Sequence, residues 1–397
     1  MSYGTTAFEA IAALVKIVFM IFAFLMPVAS ILTWLERRQS SMMQDRLGPN
    51  RANIPLPWKW KGKRANWRMW GITHFMADAL KFMGKEDFVP SKAHKFLFMW
   101  APIMAMAPAL IVSAIIPFGA PLCWNEMRDA VGYGGACSSP VNLQIARLDV
   151  GLLFYFAISS LAVYGATLAG WASHNKWAMM GGLRASSQMM SYEVTMGMAV
   201  LGAFLVYGTL EPGAIAAQQT SILSFDNFSS SWGVFRQPLG FLLFLTAAIA
   251  ETKRTPFDIP EGEPEIIGYF VEYSGLRFGM FFLGEFLEII VSSAIMITLF
   301  FGGWHMGEAF DSFLAAHTPN INLFIVTIPK SLIFSLITMT IWAFKVFVFC
   351  GFQLLIRWSL PRFRSDQLMR LGWQRLLPIS IANVVVTALV ILWAQNK

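Results

Sequence analysis

Apolar runs long enough to cross a bilayer recur along the whole chain, parted by polar stretches. Eight can be marked, at about 10–35, 96–117, 149–171, 192–210, 238–251, 278–301, 330–356 and 376–394. A helix needs about 20 apolar residues to span the hydrocarbon core. The fifth run is short of that, so it either tilts or extends backwards through Trp232 to Gln237. The pattern predicts an all-α integral membrane protein of about eight transmembrane helices, a single polytopic domain over residues 1–397. No repeat of 20–50 residues and no linker divides it. The first run is too long for a cleaved signal and lacks a small-residue cleavage site.

Between the first two runs lies a long loop, residues 36–95. Within it, His74 to Met83 has helical apolar spacing, with Phe75, Met76, Leu80 and Met83 on one side. This predicts an interfacial amphipathic helix in the headgroup plane, with Asp78 on its polar side or facing a cavity. Pro55 to Trp70 alternates basic residues with tryptophan. An interfacial anchor explains that pattern, and a specific lipid or partner site is the other reading.

Composition agrees. The chain is 56% hydrophobic and 13% charged, with mean hydropathy +0.56; soluble domains carry roughly 25% charged residues. The net charge of +7 does not signal nucleic acid, because the basic residues sit in loops. Loops after odd-numbered runs hold 23 Lys and Arg, and loops after even-numbered runs hold three, Arg128, Arg147 and Arg236. The odd-numbered loops are therefore expected to be cytoplasmic. Both termini then lie outside, in the periplasm of a bacterium with the chain in its inner membrane. Three cysteines and five scattered histidines offer no metal-ligand spacing, and no glycine-rich phosphate loop occurs. No flavin, iron–sulfur cluster, metal or nucleotide is expected on this chain.

The densest chemistry is the loop 250–277, AETKRTPFDIPEGEPEIIGYFVEYSGLR. It gathers Glu251, Asp258, Glu261, Glu263, Glu265 and Glu272 against Lys253, Arg254 and Arg277. Pro256, Pro260 and Pro264 forbid one continuous helix there. Crowded carboxylates raise one another's pKa and titrate together, which suits a proton relay or a charge sensor. A solvated acidic loop is the plainer reading, but it has little use for Phe257, Ile259, Ile266 and Ile267.

Elsewhere, Glu36, Arg37 and Arg38 leave the first run together, as an anchoring helix end or as part of a site. Glu193 opens the fourth run. Glu285 and Glu288 lie inside the sixth, three residues apart and on one helical face. Each charge at a bilayer centre costs about 2.5–3.5 kcal/mol, so these two should share a proton or line a wet cavity. Lys345 is the cation expected to partner them.

Four stretches carry a resemblance. ERRQSSMMQDRLGPNRAN, LAVYGATLAGWASHNKWAMMGGLRASSQMMSYEV, AETKRTPFDIPEGEPEIIGYFVEYSGLRFGMFFLGEF and LPRFRSDQLMRLGWQRLLPIS resemble, in order, four segments of the H subunit of respiratory complex I (NADH-quinone oxidoreductase), the family of mitochondrial NADH dehydrogenase subunit 1. The resemblance covers nearly the whole chain. It implies an eight-span subunit with its N-terminus outside, taking quinone as substrate and binding no cofactor of its own. Such a subunit walls the quinone chamber and begins the charged relay that couples quinone reduction to proton translocation. Its implied partners are the hydrophilic-arm subunits at the junction, neighbouring membrane subunits and lipids.

By the same resemblance, Glu36, Arg37, Asp78, Glu251, Arg254, Arg357 and Arg362 belong to the chamber and junction. Asp258, Glu261, Glu263, Glu265, Glu272, Glu193 and Glu285 belong to the relay. Three departures stand out. Pro264 replaces a small polar residue, Glu288 lies outside the usual pattern, and extra length falls at Pro55–Trp70, Pro121–Gln144 and Gly307–Asn322. Cys123 and Cys137, in the second insertion, are candidates for a disulfide on the outer side. Two alternatives remain: a homologous subunit of a membrane-bound hydrogenase or dehydrogenase, and an autonomous ion transporter. The missing inverted repeat weighs against the transporter.

Overall fold

A computed structural model describes residues 3–395 apart from 53, 61–62, 68–69, 124–139, 224–229, 261–267, 318–320, 324–325 and 329. The pairing expected of Cys123 with Cys137, and the places of Glu261, Glu263 and Glu265, fall on segments outside the described residues.

Helices dominate. Helix α1 (Tyr3–Val18) runs through a π-helical stretch, Phe19–Leu25, into α2 (Met26–Met43). A hairpin of β1 (Ile54–Trp60) and β2 (Lys63–Trp67) follows, then α3 (His74–Gly84) and α4 (Lys95–Val112). A two-residue pairing of β3 (Leu122–Cys123) with β4 (Pro140–Val141) precedes α5 (Gly151–Ser159) and α6 (Leu161–Ala172). Next come α7 (Lys176–Tyr207), α8 (Pro212–Gln218), α9 (Gly233–Arg236), α10 (Pro238–Glu251) and α11 (Gly275–Phe300). The chain closes with α12 (Glu308–His317), the hairpin of β5 (Ile321–Leu323) and β6 (Val326–Ile328), α13 (Lys330–Ser359), α14 (Ser365–Arg370) and α15 (Leu377–Gln395).

Among the described residues, seven helical stretches are long and apolar enough to cross a membrane: Ala10–Met43, Lys95–Ile115, Gly151–Ala172, Lys176–Tyr207, Gly275–Phe300, Leu332–Ser359 and Ser365–Trp393. They fall where seven of the eight expected runs lie. The eighth, α10, has 14 residues and so a length of about 21 Å. It does not extend smoothly backwards. The short turn α9 precedes it, and Gln237 (φ −139°) breaks the helix between them. Gln237 donates to Thr387 on α15 at 2.8 Å, which anchors the break.

The fourth helix departs most from expectation. It begins at Lys176, sixteen residues before the expected start at 192. Polar Arg184, Ser186, Ser187 and Gln188 read as a loop in the sequence. The fold makes them helical because Asn175 caps the first turn, accepting from the Trp177 N–H at 3.0 Å. The apolar side, with Ala178 and Ala185, is then fully buried.

Helix α11 is the axis of the bundle. Its most apolar 18-residue window is 78% buried, against 17% for Ala10–Met43 and 11% for Ser365–Trp393. Those outer helices present Ile11, Leu14, Phe22, Val385, Leu389 and Trp393 outward, as lipid- or subunit-facing surfaces do. Helices α4 and α6 approach closely because their contact residues are small. A Cβ on Gly165 would lie 2.6 Å from the Ala105 backbone nitrogen. Helix α3 forms over the residues whose spacing predicts it. Phe82 packs its inner side on Phe278 and Phe282 of α11, while Met76, Leu80 and Met83 stay exposed.

Lys345 does not partner Glu285 or Glu288. Its ammonium donates to the carbonyls of Phe301 (2.9 Å), Gly303 (3.1 Å) and His305 at the C-terminal end of α11. A cation there satisfies orphan carbonyls and the helix dipole. The two glutamates lie twelve or more residues back along α11, about 20 Å away.

Replacing Gly165 by Val should force α4 and α6 apart at a cost of about 1–3 kcal/mol. A lowered thermal transition of the detergent-solubilised protein is the expected outcome, while Gly84→Ala, with open space around its Cβ, should leave the transition unchanged.

Candidate functional site at the charged end of the bundle

Helices α2, α10 and α13 end, and α11 begins, at the same end of the bundle, and that end holds most of the expected residues. Glu36 of α2 stands between two arginines. One carboxylate oxygen accepts from Arg357 of α13, and the other lies 3.4 Å from Arg254, just beyond α10. Arg254 reaches onward to Glu285 of α11 at 3.1 Å and lies over the Phe286 ring at 4.6 Å. The result is a row of alternating charge, Arg357–Glu36–Arg254–Glu285. Beside it, the Lys253 ammonium is 3.8 Å from Glu288. On the other flank, Arg362 donates to Asp258 at 2.7 Å. At the rim, Arg37 pairs with Asp78 of α3 at 2.7 Å.

Among the described residues, the ion-paired inner groups number four carboxylates (Glu36, Asp258, Glu285, Glu288) and four cations (Lys253, Arg254, Arg357, Arg362), with Glu251 a further carboxylate beside Glu288. The balance is required. An ion taken out of water costs several kcal/mol unless a partner and hydrogen bonds offset it. Arg254 and Lys253 are 5% and 3% exposed.

The loop that carries them is bolted in place. Gln188 of α7 donates to the carbonyls of Ala250 (2.8 Å) and Phe257 (2.6 Å). The Phe363 N–H donates to the Pro256 carbonyl at 3.0 Å, and Phe363 stacks on Phe257 with centroids 5.5 Å apart. Tyr192 donates to the Leu368 carbonyl at 3.0 Å, tying α7 to the same C-terminal segment. Gln188 is not evident from sequence because its stretch reads as a loop. The signal that could have found it is the cap residue Asn175.

Burial pushes the Asp258 carboxyl up to about 6, against the pull of Arg362 and Arg357, with Glu285 adding to the rise. Its ordinary value is about 3.9. The raised folded-state value means that Asp258's contribution to stability is complete below about 3.9 and is lost as pH rises through about 6.

A cleft of ≈ 1070 Å3 opens beside this network, lined by Glu36, Arg37, Ser40, Ser41, Arg46, Leu47, Gly48, Pro49, Asn50, Arg51 and Trp358. Its floor is the tight turn after α2. Gly71 (φ +83°) closes against it, with room for a hydrogen only: a Cβ there would sit 1.9 Å from the Pro49 carbonyl oxygen. Gly48, Pro49 and Asn50 thus both turn the chain and wall the cleft.

The remaining expected residues are placed apart. Glu272 accepts from the Asn175 side chain at 2.8 Å and steadies the start of α7, away from the charge row. Glu193 is half-buried on α7 and joins none of these pairs. Glu251 ends α10 and lines a small, partly open cavity with Tyr155 and Glu288. Among the described residues, no group of three or more His, Cys, Asp or Glu is arranged to hold a metal ion.

A helical membrane protein with a neutralised charge row leading inward from an open cleft is the class defined by this geometry. Similarity to known proteins narrows it. A profile described as NADH dehydrogenase matches residues 15–388. The H subunit of NADH-quinone oxidoreductase from Bdellovibrio bacteriovorus is 38% identical over 98% of this chain and 99% of its own. The H subunit from Flavobacterium psychrophilum and subunit 8 of the Rhodothermus marinus enzyme are each 38% identical over 94% of this chain and 95% of theirs. The chain belongs to this family, the H subunits of NADH-quinone oxidoreductase.

Arg362→Gln should remove the larger of the two cationic pulls and move the Asp258 midpoint above about 6. Infrared titration of its carboxyl band, identified by loss in Asp258→Asn, measures the shift; an unmoved midpoint would show that Arg362 is too solvated to matter.

Proposed function

We propose that this chain forms the membrane wall of a quinone-reduction chamber and the first part of a charged relay that couples quinone reduction to proton translocation. The observation that carries the reading is the row from Glu36, on the cleft wall, through Arg254 to Glu285 inside the bundle. A change of charge at the cleft is felt along such a row, because half-buried Glu36 is paired to buried Arg254 and that to buried Glu285, in surroundings that screen less than water. Asp258, titrating near 6, exchanges protons at the row's edge within the physiological range. Glu261, Glu263 and Glu265 follow it directly in the chain and extend the relay.

In this reading the quinone headgroup enters past Arg37 and Trp358, and the hydrophilic-arm subunits close the cleft from outside. Neighbouring membrane subunits and lipid cover the exposed faces of α1 and α15. The charged end is cytoplasmic and both termini are outside, on the strength of the Lys and Arg distribution. Glu251 and Glu193 stand deeper in the bundle as continuations of the relay. Glu272 acts on the relay by holding α7 in position.

Asp258→Asn and Glu263→Gln in the intact complex should impair quinone reduction coupled to proton translocation while leaving assembly intact. Vesicle proton-uptake and quinone-reductase assays read both. Unchanged coupled activity in both variants would sink the proposal, and proton flux through the purified chain alone would favour an autonomous transporter.

A further inference from the structure

Where α4, the α5–α6 joint, α7, α10 and α11 meet, a small, partly open cavity of ≈ 30 Å3 is bounded by Glu251 and Glu288, with Tyr155, Thr252 and Ser292 among its walls. A water needs about 10–15 Å3 of such space and two to four polar partners, so one or two waters fit. The walls are mostly apolar, with a few polar groups set among them. Thr252 and Ser292 donate to the carbonyls of Ile249 and Ile289, at 3.0 and 3.1 Å, in their own helices. Their oxygens, and the carboxylates, are left to accept. The Tyr155 hydroxyl is one donor at hand, hydrogen-bonded to Glu251; water is the ligand that supplies the donors the remaining oxygens lack.

Two further observations point the same way. The Glu288 Oε2 atom is buried and makes no hydrogen bond within the described protein. Lys253 neutralises it across 3.8 Å, beyond hydrogen-bond reach. The backbone around the cavity is also irregular: Pro108, which lacks an N–H, lies inside α4, and a single tight turn at Ser160, still in helical φ/ψ, parts α5 from α6. Within a membrane, broken helical backbone is tolerated where it is buried in protein or faces water.

We propose that Glu288 is a proton-holding residue joined to Glu251 through water in this cavity, with Lys253 setting the charge that Glu288 carries. The inference rests on the relay reading above. Lys253 adopts φ +55°, a region non-glycine residues seldom occupy, which puts its ammonium under Glu288 and 5.5 Å from the Tyr269 ring. When Glu288 is ionised the pair is neutral. When Glu288 holds a proton the pair carries one positive charge, so the ammonium at 3.8 Å favours release of that proton. Transfer breaks the O–H bond at the Glu288 carboxyl and forms one at water, while the water gives one of its own protons to the Glu251 carboxylate. The same steps in reverse return it, and no electron moves.

The test uses the intact complex in membrane vesicles. Glu288→Gln should assemble and lose proton translocation coupled to quinone reduction, and a carboxyl band in turnover-induced infrared difference spectra should vanish with it. Lys253→Met/Glu288→Gln removes both charges. If the pair were structural alone, the double variant would match the parent, and that result overturns the proposal. If Glu288 carries protons, the double variant assembles normally and stays uncoupled. Should Glu288→Gln fail to assemble, the double variant decides in its place. Impaired Asp258→Asn and Glu263→Gln beside a fully coupled Glu288 variant would reject this inference alone, whereas silence in those two would reject the relay reading itself.

Discussion

Charge cancellation inside an apolar bundle is the constraint on which the rest of this structure depends. Glu36, Glu285 and Glu288 sit on helices otherwise built for lipid and core, and each would be costly alone. They are tolerable because Arg254, Lys253 and Arg357 arrive at the same height from other parts of the chain. The pairing demands that α2, α11, α13 and the end of α10 meet within a few ångströms. Helix α10 ends at this level, so that Glu251, and Lys253 and Arg254 just beyond it, enter the bundle there.

The loop beyond α10 is held by groups that are not themselves charged. Gln188 grips two of its carbonyls, and Phe363 covers it with a ring and a backbone hydrogen bond. Asp258 is thereby kept buried beside Arg362, and its raised pKa follows from that burial. A solvated acidic loop would have ordinary carboxylates. The apolar residues noted in the sequence, Phe257 and Ile259, are what seat it in the core. The cleft on the other side of Glu36 completes the arrangement, since one carboxylate faces both an open space and the buried row.

Much of this is legible in advance because membrane helices obey a severe rule: every backbone group is satisfied within its own segment, so apolar length alone marks the spans. The short fifth run and the residues flanking it are visible in that way. The charged pairs Arg37–Asp78 and Arg254–Glu285 join residues that stand out beforehand, through resemblance and through the cost of ions near a bilayer. The start of α7 is misread from sequence because Arg184, Ser186 and Gln188 look solvent-facing there, whereas in the fold they are helical and Gln188 grips the loop. Lys345 misleads for a related reason. Opposite charge in neighbouring helices suggests a pair, but depth along the helix decides it, and Lys345 stands at the depth of the α11 carbonyl end.

The sequence by itself determined the class of protein, the approximate places of its long apolar helices and the family, because those depend on composition and local pattern; the first stretch runs on to Met43, α7 starts early at Lys176 and the last stretch starts early at Ser365. Which carboxylate meets which cation was decided by the tertiary structure alone. Lys253 and Glu288 are 35 residues apart and Glu36 and Arg357 are 321 apart. No local periodicity links positions so distant; only the packing of α2, α10, α11 and α13 brings them to one level, and the energy of a buried ion depends on what stands within a few ångströms of it.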